Sequence, residues 1–433
     1  MSHPSSAVVA APGPVRRDPY RWTVLGIATF TQAASCFFVQ GIGAMAVPLE
    51  HALSLTTAQL GLLLSASQLV PLVGLLIAGG LLDRYDERWV VGIGAGVVGA
   101  ALLAGSLAQG YASLLVVLLV VGAGYSTAQP GGSKSVAAWF DPGQRGFAMG
   151  IRQAGLPLGA ALAAAVLPAL ATSYGWRSAP AAGGLVALAG AAAFLALYRR
   201  PPAPVTAAAA PPVPPAPRPG AGAGAGAGSG ATAGSGARLR MLREPAMRRI
   251  VLSGTCMVTV HSGIGVLGAL HLHDVTSLDA GPAAAVLVAV QVAGGLGRIG
   301  LAAWSDRSRA GRHRPVAVSM AAAAAGLLAL ATPLGAQPLA AALLFTWLGF
   351  FGIGWYGPWV AHLAESAPPG RTGFALGLVM AVNQVAVILA PPALGLLHDA
   401  TGGFTAAWAA LAVLAAATVL LTRRPHKRNC HVQ

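Results

Sequence analysis

Residues 142–151 read PGQRGFAMGI and residues 369–378 read PGRTGFALGL. Six of the ten positions are identical, the two stretches lie 227 residues apart, and each opens a long apolar run. A second echo sits nearby. LLDRYDERW (81–89) and WSDRSRAGR (304–312) both place Asp-Arg just after an apolar run, and Pro130 has a partner in Pro358. The chain therefore repeats itself as two halves, and one difference between the copies stands out. The first continues as Arg152-Gln153, whereas the second has Val379 at the place of the arginine.

Counting outward from these stretches gives twelve apolar runs: about 22–47, 57–82, 89–108, 112–138, 146–171, 175–198, 248–273, 281–304, 315–334, 338–363, 372–397 and 404–422. Each is long enough to cross a hydrocarbon core ~30 Å thick as a helix. The runs lack the polar–apolar alternation of a membrane barrel. Composition agrees, because 55% of the 433 residues are hydrophobic and 9% are charged, against ~25% charged in a soluble domain. The first run follows about twenty more polar residues without an A-x-A-like cleavage site, so it reads as a helix and not a removed signal. The sequence predicts an all-α membrane protein: twelve transmembrane helices in two six-helix pseudo-symmetric bundles.

The net charge of +15 does not indicate nucleic acid, because the cations are distributed by loop. All but four of the 27 Lys and Arg lie in the two tails and in alternate loops. The exceptions are Lys134, Arg152 and Arg298 inside apolar runs and Arg177 in an opposite loop. That asymmetry puts both termini in the cytoplasm. Trp22, Trp89, Trp139, Trp176, Trp304 and Trp408 lie at run ends, where interfacial anchors are expected. Residues 201–237 are Pro-rich and then Gly/Ala/Ser-rich, a composition that spaces and does not pack. The organisation expected is a cytoplasmic tail over 1–21, a six-helix bundle over 22–198, a cytoplasmic linker over 199–247, a second bundle over 248–422 and a cytoplasmic tail over 423–433. Internal repeats of this kind are the sequence trace of transporters, with the cavity between the halves.

Gly79-Gly80-Leu81-Leu82-Asp83-Arg84, followed by Arg88, resembles the loop 2–3 signature of the major facilitator superfamily. The usual Gly-Arg after the first basic residue is replaced by Asp86-Glu87. Gly297-Arg298 with Ser305-Asp306-Arg307 resembles the second copy. The resemblance spans about 22–422 and implies alternating access, in which the halves rock about a central site. It also implies that Gly79, Asp83, Arg84, Arg88, Asp306 and Arg307 form gates that latch the ends of the halves. The stretches around Trp139-Phe140, Arg152 and Arg298 look most like the bacterial cyanate-permease and the oxalate/formate–monocarboxylate carrier groups. In the carboxylate carriers a helix 8 arginine binds the substrate carboxylate, and Arg298 matches that position. Those carriers often also place a Lys in helix 1 or helix 11, which this chain lacks.

Charges inside a membrane helix are costly and generally face a cavity or a partner. Lys134, Arg152 and Arg298 lie at similar depth, each on a helix face of small or polar residues. The twelve carboxylates all lie outside the helix centres. Cations without fixed counter-ions point to a mobile one, and arginine suits bidentate capture of a carboxylate. The expected substrate-binding set is Arg298, Arg152, Lys134, Gln291, Asn383, Tyr356 and Trp355. Glu365 is placed to brace Arg371 or the helix 4–5 region. With no membrane-embedded carboxylate in view, the groups left for proton coupling are His261 and His362. No metal-ligating cluster, cofactor fingerprint or nucleophile stands out, so neither a metal, a cofactor nor an enzyme is expected. Cys36, Cys256 and Cys430 imply no disulfide framework.

The function expected is a monomeric secondary transporter of the bacterial inner membrane that carries a small anion, as exchanger or proton symporter. Two alternatives stand beside it. A drug exporter of the superfamily would carry an arginine in the middle of helix 4, and residues 117–126 have none. A solute sensor would carry a folded cytoplasmic domain, for which the linker and tails are too short or too biased.

Overall fold

The computed structural model describes residues 18–55, 57–201, 241, 244–308 and 311–422. The tail before residue 18, most of the expected linker and the tail from 423 lie outside them. Among the described residues all regular structure is helical. The first half holds α1 (Tyr20–Gly41), α2 (Thr57–Leu69, then Pro71–Arg84), α3 (Glu87–Gly105), α4 (Tyr111–Tyr125, then Ala128–Trp139), α5 (Pro142–Tyr174) and α6 (Ser178–Leu197). The second holds α7 (Pro245–Asp274), α8 (Ala280–Arg307), α9 (His313–Leu330), α10 (Pro338–Leu348, a π turn over Gly349–Ile353, then Tyr356–Ser366), α11 (Thr372–Thr401) and α12 (Thr405–Thr422).

Eleven of these are long and apolar enough to cross a membrane. The twelfth, α2, is cut at Val70 into pieces of 13 and 14 residues, each shorter than the ~20 that a crossing needs. Pro71 causes the cut, because its ring removes the N–H that would have bonded the Ser67 carbonyl. Local chemistry sets other ends. Asp86 accepts the Arg88 N–H at 2.8 Å to start α3. Gly175 at φ 82° and Gly402 at φ 67° turn the chain between α5 and α6 and between α11 and α12.

The repeat seen in sequence holds in space. α1 packs on α5 as α7 packs on α11, and α3 packs on α6 as α9 packs on α12. The two seams between halves are α5 against α8 and α2 against α11. Glycines let these backbones close. A Cβ on Gly150 would lie 2.4 Å from the Arg298 carbonyl oxygen, and one on Gly377 would lie 2.3 Å from that of Leu75. The breaks in α4 and α10 are also equivalent, since the repeat of 227 lays Ile353 on Ser126.

One expectation about the aromatic residues needs correction. Trp22, Trp89 and Trp304 are exposed as anchors, but Trp176 and Trp408 are buried. Trp408 donates to His271 Nδ1 at 3.1 Å, and His271 Nε2 then donates to the Gly335 carbonyl at 2.9 Å. A buried indole needs such an acceptor, and here the pair knits α7 to α12.

Candidate functional site

The loops that share Asp-Arg lie at one end of the helices, together with Arg88, Arg145 and Arg371. At this basic end the two aspartates reach across the seams. Asp83, at the end of α2, accepts the N–H groups of Gly373 and Phe374 in the first turn of α11, at 2.8 and 2.9 Å. Asp306, at the end of α8, accepts those of Gly146 and Phe147 in α5, at 2.8 and 2.7 Å. The duplicated Gly-Phe of the opening stretches is thus the receiving half of two equivalent clasps. A carboxylate facing helix amides gains from charge-assisted bonding and from the helix dipole. Glycine is needed because a Cβ would lie 2.5 Å from Asp306 Oδ1 at Gly146 and 2.7 Å from Asp83 Oδ1 at Gly373. Gly79 supports the Asp83 clasp, its Cβ position falling 2.7 Å from the Gly373 carbonyl.

The basic residues of the expected gates behave differently. Arg84 and Arg307 are exposed. Arg88 donates to the Leu195 carbonyl in α6 of its own half. The arginine that joins a clasp is Arg312, which donates to Asp306 at 2.7 Å, to Ser305 at 2.9 Å and to the Pro142 carbonyl across the seam. It also takes both oxygens of Glu365, at 2.5 and 2.8 Å, and Arg145 approaches Glu365 at 3.4 Å. Glu365 therefore braces the start of α5, one of the two positions open to it in the sequence. Burial works against the Arg312 charge, but the hydrogen bonds to Glu365 and Asp306 outweigh it and hold its pKa above the ordinary value.

Inward from the basic end, a cavity of about 270 Å³ lies between the halves. Its wall takes Gln40 from the α1 end of the first half, Gln68, Pro71 and Leu75 from α2, Tyr125, Ser126 and Gln129 from around the α4 break, and Leu156 from α5. The second half gives Val258, His261 and Ser262 from α7, Arg298 from α8, Tyr356 from α10, and Met380, Asn383, Gln384 and Val387 from α11. None of these lining residues is Asp or Glu.

Arg298 is 3% exposed. Its Nη1 donates to the Gln153 carbonyl of α5 at 2.7 Å, and its Nε to the Ile353 carbonyl of the π turn at 3.3 Å. Its guanidinium lies 5.6 Å from the Tyr356 ring centroid. Nη2 has no partner among the described residues. Tyr356 donates to Gln129 Oε1 at 3.2 Å, and these two are repeat partners, 227 residues apart. Gln384 Nε2 donates to the Gln68 carbonyl at 2.9 Å and to its Oε1 at 3.3 Å. Thr255 donates to Asn383 Oδ1 at 3.3 Å, while Asn383 Nδ2 is buried without a partner.

The other expected substrate-binding residues do not line this cavity. Arg152 is fully buried, but its donors turn to α4: Nη1 to Ser133 at 2.9 Å, and Nη2 to the Ala128 and Gln129 carbonyls at 2.8 and 3.0 Å. It lies over Gly132, where a Cβ would be 2.5 Å from Nε. Arg152 thus pins the second piece of α4, next to Pro130, from behind the wall. Lys134 pairs with Glu87 at 2.8 Å, and Tyr198 donates to the other oxygen of Glu87 at 3.3 Å. That overturns the expectation that no carboxylate is near this cation. Glu87 belongs to the loop signature in sequence, but as the first residue of α3 it turns inward to α4.

Gln291 shares a face with Arg298 but sits two turns away, about 10.5 Å along α8, beyond the cavity. Trp355 is fully buried among Tyr356 and Trp359, at ring distances of 5.2 and 5.4 Å. His362 lies toward the basic end, 6.3 Å from the His313 ring. His261, by contrast, is on the wall. Sequence reasoning passed over Gln40, Gln68 and Gln129 because it tracked charge. The available signal was a glutamine beside a helix-breaking proline, as in Gln68 near Pro71 and Gln129 at Pro130.

Comparison with known proteins bears on this arrangement. A profile described as the Major Facilitator Superfamily matches residues 28–374. An uncharacterized MFS-type transporter of Mycobacterium tuberculosis (strain CDC 1551 / Oshkosh) is 29% identical over 412 residues, which cover 94% of this chain and 86% of that one. The hexuronate transporter of Bacillus subtilis (strain 168) is 27% identical over 129 residues, 30% of this chain and 31% of its own. Among solved structures, a human organic anion transporter superposes with a TM-score of 0.69 at 14% identity, over 94% of this chain and 100% of that one.

Proposed function

We propose that this chain, which belongs to the major facilitator superfamily of membrane transporters, moves a small organic anion through the cavity between its halves by alternating access. The observation that carries the reading is Arg298. It is a buried cation on the cavity wall with one nitrogen uncommitted, and no lining residue is a carboxylate. A fixed charge left without a counter-ion in a membrane interior is suited to an arriving anion. The hexuronate transporter similarity supports the same class of substrate.

Tyr356 and Asn383 complete the proposed site, with Gln129 and Gln384 beside them. Arg152 and Lys134 serve the first half's internal structure. In this reading the basic end and both termini face the cytoplasm across a bacterial inner membrane, a sidedness that the loop charges support. The clasps of Asp83 and Asp306 then close the cytoplasmic side, and opening to that side requires both to part. Transport runs as anion exchange or as proton symport, with His261 as the proton-linked group of a symport cycle.

Reconstitution tests this. Proteoliposomes are expected to take up a radiolabelled monocarboxylate, and Arg298→Gln is expected to abolish the uptake. Uptake that survives Arg298→Gln unchanged rejects the anion site. Proton-driven movement of a lipophilic cation instead identifies a drug exporter.

A further inference from the structure

We infer that the cavity is built for an anion with one carboxylate and a hydroxyl-bearing body, whose hydrogen bonds replace polar contacts that now join the two halves. This rests on the anion reading above and narrows it.

Charge comes first. Arg298 is the one Lys or Arg among the lining residues. The other two cations of similar depth are committed elsewhere, Arg152 to α4 carbonyls and Ser133, and Lys134 to Glu87. A second carboxylate on the ligand would enter a low-dielectric site with no partner, which is costly.

The rest of the wall sets Leu75, Leu156, Val258, Met380 and Val387 beside polar side chains that carry no fixed charge. Gln40, Gln68, Gln129, Asn383 and Gln384 give it five amide side chains. An amide donates and accepts, and so does a hydroxyl, so each matches the other. An alkyl chain would leave these groups unpaired, and a site built to hydrogen-bond discriminates strongly against ligands that cannot. The volume of about 270 Å³ is near the lower bound of ligand pockets, ~300 Å³, and suits a body of about six carbons.

Three contacts cross between the halves with a partner on this wall. They are Arg298 to the Gln153 carbonyl, Tyr356 to Gln129, and Gln384 to Gln68. The Tyr356–Gln129 bond is 3.2 Å, long for an O–H donor, where ~2.7–2.8 Å is usual. The Gln384–Gln68 side-chain bond is 3.3 Å. A ligand hydroxyl that offers better geometry takes these partners. The same event that binds the ligand thereby loosens the halves, which links recognition to rocking.

Matched six-carbon probes test the inference on the purified full chain by calorimetric binding: gluconate and its epimers, hexanoate and adipate. At least one aldonate is expected to bind ten-fold or more tighter than both others, about what one satisfied hydrogen bond supplies. Gln384→Leu is expected to weaken that aldonate about ten-fold while leaving hexanoate unchanged, a split that a merely damaged fold does not give. Hexanoate or adipate equalling every aldonate on the wild-type chain overturns the inference while leaving the anion reading intact. Binding of tetraphenylphosphonium with none of the carboxylates overturns both.

Discussion

Arg152 and Arg298 are two buried arginines on neighbouring helices, and the sequence gives them the same look. The structure separates them by where their donors go. Arg152 gives its hydrogen bonds to Ser133 and to two carbonyls of its own half. Arg298 gives one across the seam, one to the α10 π turn, and faces the cavity. A cation in a membrane interior is therefore read by where its donors point and whether it reaches the cavity, since Arg152 too leaves its Nε without a partner, and depth alone does not decide its role.

The largest expected effect follows from that contrast. Truncating one partner of a buried charge pair costs ~2–5 kcal/mol, so Arg298→Gln is expected to weaken binding of an anionic ligand by about a hundred-fold or more. Calorimetry on the purified variant measures it. Arg152→Gln is expected to do the reverse. It leaves buried carbonyls short of donors, at ~1–3 kcal/mol each, so thermal stability falls while the folded fraction keeps its affinity within about three-fold. Equal loss of affinity in both variants would break the comparison.

The clasps repeat the lesson at the basic end. Asp83 meets two amides alone, whereas Asp306 meets two amides together with Arg312, which in turn holds Glu365. Asp306→Asn leaves a guanidinium that is 8% exposed with one carboxylate fewer. Breaking a buried pair of this kind costs ~3–5 kcal/mol. Asp83→Asn weakens two charge-assisted bonds and is expected to cost about 1–2 kcal/mol. Hydrogen–deuterium exchange reads each clasp separately, through the amides of Gly146 and Phe147 and those of Gly373 and Phe374. Faster exchange at Gly373 in the Asp83 variant than at Gly146 in the Asp306 variant would invert the ranking.

Much of this was legible beforehand, and the reason differs from element to element. The crossings and the two halves followed from apolar run length and from the repeated Gly-Phe, which the membrane and the fold both enforce. The clasping aspartates followed from a repeated Asp-Arg, although the repeat did not say that aspartate carries the contact and that Arg84 and Arg307 turn away. Arg312 was hidden in a loop of four arginines, where composition cannot tell a clasp from a solvated turn. The polar wall was missed because glutamine carries no charge penalty to notice. Lys134 was misread because Glu87 precedes it by 47 residues, and a pairing between helices leaves no local pattern.

The smallest effect tests whether the Asp306 clasp is one unit or a sum of parts. Its outermost member is Arg145, which approaches Glu365 at 3.4 Å with side chains 19% and 24% exposed. The repeat supplies its own control, because the second half carries Thr372 at the place of Arg145 and the first half carries Ala138 at the place of Glu365. The Asp83 clasp thus works without either charge. Partly solvated pairs contribute ~0–1 kcal/mol, and Glu365 keeps both of its bonds to Arg312 when Arg145 is lost. Arg145→Thr is therefore expected to lower stability by less than about 1 kcal/mol, and salt is expected to shrink the difference further. Thermal melts of the wild-type and variant chains at low and high salt measure it. A loss larger than that of Asp83→Asn, and insensitive to salt, would mean that the four charges hold the seam cooperatively, with Arg145 orienting Glu365 for Arg312.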